Sequence, residues 1–199
     1  MDLLKIKQEL ILASQRCYAR GVQTGTGGNV SARVPGEDLM IVKPSGKSFG
    51  DCTVNDLLIT DFDGKLVEGE GKPTREALLH GFIYKKMLTV SSVVHCHAPW
   101  SIGWSSTKKD LPLVTYHAIL KIGYPIPTLD IKAGVVSPTD FYKVEEIFKK
   151  NPNLIGFLLV DHGIVAVGNN AINAEHNLEL IEETAKIAYL KALAKKLLL

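Results

Sequence analysis

The sequence predicts an α/β fold, a three-layer sandwich whose central, largely antiparallel sheet is flanked by helices. Three observations predict it. Helical and strand-like apolar periods are both present, without the regular strand–helix alternation of a doubly wound parallel sheet. Asp63-Gly64 between two apolar runs is a hairpin signal, so those strands run antiparallel. The run 154–160 is almost wholly apolar, as in a strand covered on both faces. No internal repeat or linker divides the chain, so residues 1–199 read as one domain.

In order, Leu3, Leu4, Ile6, Leu10, Ile11 and Ala13 recur at helical spacing, and Gly21 stops that helix. A glycine cluster at 24–29 precedes the alternating run 30–34. A second strand over 38–42 ends in the turn Pro44-Ser45-Gly46. Residues 57–60 and 65–67 form the hairpin arms. Pro73 opens a helix over 74–86, with Ala77, Leu78, Phe82 and Ile83 apolar. A strand over 92–97 is closed by Pro99. Further strands are expected at 126–129, 154–160 and 164–168, the last two separated by Asp161-His162-Gly163. Ser137 is placed to cap a helix beginning at Pro138, with Asp140 in its first turn, and 171–199 is a long amphipathic helix.

Composition removes several function classes. With 199 residues, 46% hydrophobic and 22% charged, the chain has enough apolar side chains for one sizeable core. Lys+Arg 23 against Asp+Glu 21 gives a net charge of +2, far from the basic stripe of a nucleic-acid binder. No apolar run approaches the ~20 residues of a membrane span, and Leu3 to Leu12 is broken by Lys5, Lys7, Gln8 and Glu9. Three cysteines (Cys17, Cys52, Cys96) suit neither a disulfide framework nor a thiolate zinc cage. A soluble, cytoplasmic protein is expected, with no nucleic-acid or membrane partner.

His95-Cys96-His97 is the sharpest local feature. On a strand, residues i and i+2 share a face, so both imidazoles can reach one metal while Cys96 turns into the core. The plainer reading is two histidines on an accessible strand edge. His162, breaking a long apolar run, is a third candidate ligand, and three histidines with an open fourth position form the catalytic type of zinc site. Glu76, in the expected first turn of the 74–86 helix, is either a glutamate favoured by the helix dipole or a general base beside the metal. His80, four residues on, is placed to orient it. His176 reads as a surface or packing residue.

Three turns offer hydroxyls and amides to an anion: Thr24 to Ser31, Pro44-Ser45-Gly46 and Pro73-Thr74-Arg75. Gly27-Gly28 also suits a simple bulge or tight turn. Neither a Walker loop nor a dinucleotide fingerprint is present, so a small phosphorylated substrate fits better than a nucleotide.

Taken in order, Gly27-Gly28-Asn29-Val30-Ser31, Pro44-Ser45-Gly46, Pro73-Thr74-Arg75-Glu76, His95-Cys96-His97 and Asp161-His162-Gly163 resemble the zinc-dependent class II aldolase/epimerase family. That family includes L-fuculose-phosphate aldolase, L-rhamnulose-phosphate aldolase and L-ribulose-5-phosphate 4-epimerase, and the resemblance spans nearly the whole chain. It implies one Zn2+ per subunit on His95, His97 and His162, with Glu76 as the acid/base residue and a metal ligand when no substrate is bound. It implies phosphate contacts from Asn29, Ser45, Gly46 and Thr74, helped by the Thr26–Gly28 turn, with Arg75 adding charge. It also implies an α/β sandwich assembled as a homotetramer, with sites at subunit interfaces. Counting back from Gly123 places the intersubunit tyrosine of the fuculose enzyme at His117, with Tyr116 adjacent. Arg75, where the fuculose enzyme has a serine, resembles a branch that decarboxylates four-carbon 3-oxo acid-sugar phosphates. With the sequence ending at Leu199, the longer tail that covers the site in the fuculose enzyme is expected to be lacking.

The expected reaction is cleavage of a ketose 1-phosphate, of the L-fuculose 1-phosphate type, to dihydroxyacetone phosphate and an aldehyde through an enediolate stabilised by zinc. Decarboxylation of a 3-oxo-tetronate 4-phosphate, sugar-phosphate 4-epimerisation and dehydration of a thio-sugar phosphate are rivals of the same chemistry. A sugar-phosphate-binding module and a structural zinc domain are the non-enzyme alternatives.

Overall fold

A computed structural model describes residues 2–131 and 133–198. Eight strands form one sheet in the order β4-β3-β2-β1-β5-β8-β7-β6. They are β1 (Asn29–Arg33), β2 (Leu39–Val42), β3 (Leu58–Asp61), β4 (Leu66–Glu68), β5 (Ser92–Cys96), β6 (Thr128–Leu129), β7 (Gly156–Leu159) and β8 (Gly163–Gly168). Every pairing is antiparallel except β6 with β7, which is parallel. The helices are α1 (Leu3–Ala19), α2 (Ala77–Lys86), α3 (Pro99–Ser105), α4 (Tyr116–Lys121), α5 (Phe141–Lys150) and α6 (Ala171–Leu197).

The sheet separates two apolar clusters, as the expected sandwich requires. On one face Leu10 and Cys17 of α1 and Leu178 and Ile181 of α6 pack with Val30, Val94, Cys96 and Ala166. On the other, Leu79 and Ile83 of α2 and Val144 and Phe148 of α5 pack with Met40, Val93, Phe157 and Val165. The period of two thus sends Val94 and Cys96 toward α1 and α6, while Val93 and His95 face α2. Cys96 is fully buried, so the expectation that it is core holds.

The hairpin forms where expected. Asp61 Oδ1 accepts from the backbone of Asp63 and Lys65, and Gly64 takes a left-handed φ of 77°. Three local readings need correction. The helix expected over 74–86 begins only at Ala77, and Glu76 is its N-cap rather than a first-turn residue. The cause is not local: Pro73 bridges Pro44, and Ser45 N–H donates to Lys72 O, holding 72–73 extended beside the 44–46 turn. Ser137 occupies a cap position, but its hydroxyl meets Thr139 and Asp140, and Pro138–Asp140 is a 3-10 turn before α5. Helices α3 and α4 were not expected. Among the described residues, no helix is long and apolar enough to cross a membrane.

Candidate metal and phosphate site

The site grows out of the middle of the sheet. Asn29 opens β1 and is paired with His95 of β5, which in turn is paired with Val165 of β8. His97 lies one residue beyond β5, and His162 sits in the turn joining β7 to β8. One ligand atom from each of His95, His97 and His162 lies within 4.8 Å of the other two. Gly163 makes this approach possible. Its φ is +154°, and a Cβ there would lie 2.2 Å from Cys96 O, so only glycine lets the turn seat against the end of β5.

His95 is 1% exposed, and its Nδ1 lies 2.8 Å from Ile164 O. A carbonyl only accepts, so Nδ1 carries the proton and Nε2 presents a lone pair. That Nε2 is buried without a hydrogen-bond partner and faces Glu76 Oε2 at 3.5 Å. The same carboxylate oxygen accepts from Asn29 Nδ2 at 2.9 Å, while Glu76 Oε1 and Asn29 Oδ1 are buried without partners. Converging lone pairs that lack a donor are costly in a dry site unless a cation lies among them. Three imidazoles and a carboxylate are also a donor set that zinc accepts, so the residues fit the metal.

Electrostatics point the same way. Burial pushes the Glu76 carboxyl upward, but protonated His95, the Asn29 amide, His80 and His162 together pull it down to about 2. Burial, however, also pushes His95, His97 and His162 below the usual imidazole range. Lowered in this way, the three imidazoles favour the neutral form, in which a ring nitrogen can act as a metal ligand.

Thr26, Gly28, Asn29, Ser45, Gly46, Thr74, Arg75, Glu76, His97 and His162 line a single cavity of about 450 Å³. The three hydroxyl-bearing turns, far apart in sequence, thus meet. Tyr116, 93% exposed, and His117, also exposed, stand on α4 and do not line this cavity. His80 makes its side-chain hydrogen bond away from Glu76: its Nδ1 meets Ser31 Oγ at 2.7 Å, which also meets Tyr84 OH at 2.6 Å, and burial brings its pKa down to about 4. His176 lies on the surface beside Arg16 and Glu175.

Two residues of the site were missed. Lys43 lines the cavity although only 1% exposed, and its ammonium is held by Pro44 O at 3.1 Å and by Lys47 O. Its signal was a lysine directly after the apolar run Leu39–Val42. Gln23 is 2% exposed; its Oε1 accepts from His97 N at 2.9 Å and its Nε2 donates to Thr24 O at 2.8 Å. Gly28, at φ +67°, leaves room for it, since a Cβ there would lie 2.5 Å from Gln23 Oε1. No sequence signal marked Gln23.

The chain matches the family described as Class II Aldolase and Adducin N-terminal domain over residues 8–189. It belongs to that family. Among class II aldolase relatives, an L-fuculose phosphate aldolase of Methanocaldococcus jannaschii is 31% identical over 199 residues, spanning 96% of this chain and 99% of the relative. An L-ribulose-5-phosphate 4-epimerase, UlaF, of Salmonella paratyphi C is 30% identical over 194 residues, spanning 94% and 85%. A solved structure titled L-fuculose 1-phosphate aldolase superposes with a TM-score of 0.84 at 27% identity, covering 99% of this chain and 89% of that one. The named relatives are enzymes of sugar-phosphate chemistry, aldolases and epimerases alike.

Proposed function

We propose that this class II aldolase is a zinc-dependent carbon–carbon lyase that cleaves a ketose 1-phosphate of the L-fuculose 1-phosphate type to dihydroxyacetone phosphate and an aldehyde. The observation that carries the reading is the buried Glu76 carboxylate facing three imidazoles at a cavity lined by hydroxyls and cations. His95, His97 and His162 would hold the zinc, with Glu76 as a further ligand before substrate arrives. Zinc bound there supplies Lewis-acid stabilisation of negative charge on substrate oxygens. Lys43, Arg75, Ser45, Thr74, Thr26 and the Gly28 and Gly46 turns anchor the phosphate, which fixes the sugar's register relative to Glu76. Glu76 takes up the hydroxyl proton as the carbon–carbon bond breaks and returns one to the carbon left behind. Asn29, donating to Glu76 Oε2, keeps that carboxylate aimed. In a homotetramer, Tyr116 or His117 of a neighbouring subunit would complete the site; exposed Tyr116, Ile119 and Leu120 on α4 suit a surface covered by assembly. The cytoplasm is the proposed compartment.

A specific observation favours a second reading. Lys43 and Arg75 place two cations on one cavity, and a substrate carrying a carboxylate as well as a phosphate would use both. That suits decarboxylation of a 3-oxo-tetronate 4-phosphate, while the UlaF relative supports 4-epimerisation.

The test is release of dihydroxyacetone phosphate from L-fuculose 1-phosphate, with and without a chelator. Chelator-sensitive release is expected. None from folded, zinc-loaded protein would move the assignment to the decarboxylase or epimerase branch.

A further inference from the structure

A second cavity, about 870 Å³ of open space, adjoins the first and shares Gly134 and His162 with it. Its walls include Lys108, Asp130, Ile131, Val160 and Asp161. Among the described residues, Lys108 (φ 59°) and Asp161 (φ 55°) are the only non-glycine residues with positive φ, and both stand on this cavity. Left-handed backbone is unfavourable for lysine and persists only where neighbouring structure imposes it. One residue bonds to both. Ser105, fully buried at the end of α3, accepts from Lys108 N through its carbonyl at 2.9 Å and from Asp161 N through its hydroxyl at 3.1 Å. The brace holds an ammonium and a carboxylate beside the same space, directly next to His162.

We propose that this second cavity is the subsite for the part of the substrate beyond the bond that breaks, a short hydroxylated carbon chain, and that Lys108 and Asp161 select it. The inference rests on the first cavity being the phosphate anchor. A sugar phosphate held there and reaching past His162 meets this space, because the two cavities share that residue. Asp161 accepts from its hydroxyls. Lys108, whose Nζ is 2.9 Å from Asp130 Oδ2, keeps further N–H donors for them. Val160 and Ile131 meet the carbon side of the chain.

The experiment measures equilibrium binding by calorimetry to zinc-loaded protein carrying Glu76→Gln, so that ligand is not consumed. On this proposal dihydroxyacetone phosphate occupies the first cavity alone, whereas L-fuculose 1-phosphate extends into the second. Asp161→Asn keeps a residue that tolerates the left-handed backbone, Asp161→Gly removes the side chain, and Lys108→Met removes the ammonium. Each should weaken L-fuculose 1-phosphate about tenfold or more, the size of a lost charged hydrogen bond, and leave dihydroxyacetone phosphate unchanged. Equal losses for both ligands, no loss for either, or failure of L-fuculose 1-phosphate to bind would overturn the subsite. Turnover of L-fuculose 1-phosphate by the unmodified enzyme is read separately. Selective binding losses without turnover would sink the aldol assignment and leave the subsite standing.

Discussion

Glu76 Oε2 and His95 Nε2 face each other across 3.5 Å, each already engaged elsewhere: the carboxylate accepts from Asn29 Nδ2, and the imidazole donates from Nδ1 to Ile164 O. Two lone pairs therefore meet behind the Glu76 wall of the cavity, and the groups beyond them hold each in place.

Replacing the carboxylate with its isosteric amide separates proton transfer from shape. Glu76→Gln should lower kcat by roughly 10²–10⁴ while zinc stays bound to the three histidines. Steady-state kinetics beside metal analysis checks this, and near-normal turnover would take Glu76 out of the proton path.

Metal removal should silence the enzyme without unfolding it. Two apolar clusters on opposite faces of the sheet hold the fold, unlike a structural zinc domain, which collapses when stripped. Chelated protein is expected to keep its far-UV circular dichroism and a cooperative melt, with Tm lowered only by the lost binding energy. A featureless melt after chelation would favour the structural-zinc alternative.

Gly163→Ala should cost about 2 kcal/mol or more, because the new methyl meets Cys96 O and the backbone stays at φ +154°. The strain falls between His97 and His162, so zinc affinity should drop with stability. Thermal unfolding and zinc titration of the same variant test both halves. A loss of stability with unchanged affinity would separate the turn from the metal site.

Stability of the metal-free protein should show opposed pH dependences. Burial holds His80 near about 4, below its unfolded value of 6.5, so its contribution is present above pH 6.5 and is lost as pH falls towards 4, by about 3 kcal/mol. Glu175 behaves in the reverse sense: burial, then its neighbour Glu179, raises it from 4.5 to about 7, so its contribution is present below pH 4.5 and is lost as pH rises through 7. Denaturant unfolding between pH 4.5 and 6.5 should therefore show a steeper acid loss in Glu175→Gln and a shallower one in His80→Asn. Parallel curves for all three proteins would contradict the assignment.

Much of this was legible in the sequence because the signals are short-range. The Asp-Gly turn, the strand period around His95 and the glycine-flanked His162 each depend on neighbours in the chain. What was not legible depends on closure. Lys43 and Gln23 become buried polar groups only when the 44–46 turn meets Pro73 and when β5 lies beside β1. The late start of α2 has the same origin. Helices α3 and α4, of seven and six residues, are too short for a periodic signal.

Strand order also sets when the site can exist. β8 is the last strand in the chain yet lies between β5 and β7, inside the sheet. A chain growing from its N-terminus cannot set His162 against His95 and His97 until residues 163–168 have been synthesised and inserted beside β5. Pairings so distant in sequence form late, because the intervening loop must be closed first. A metal held by these histidines would consequently enter a finished cup instead of nucleating its folding, so metal supply would govern activation and not the yield of folded chain.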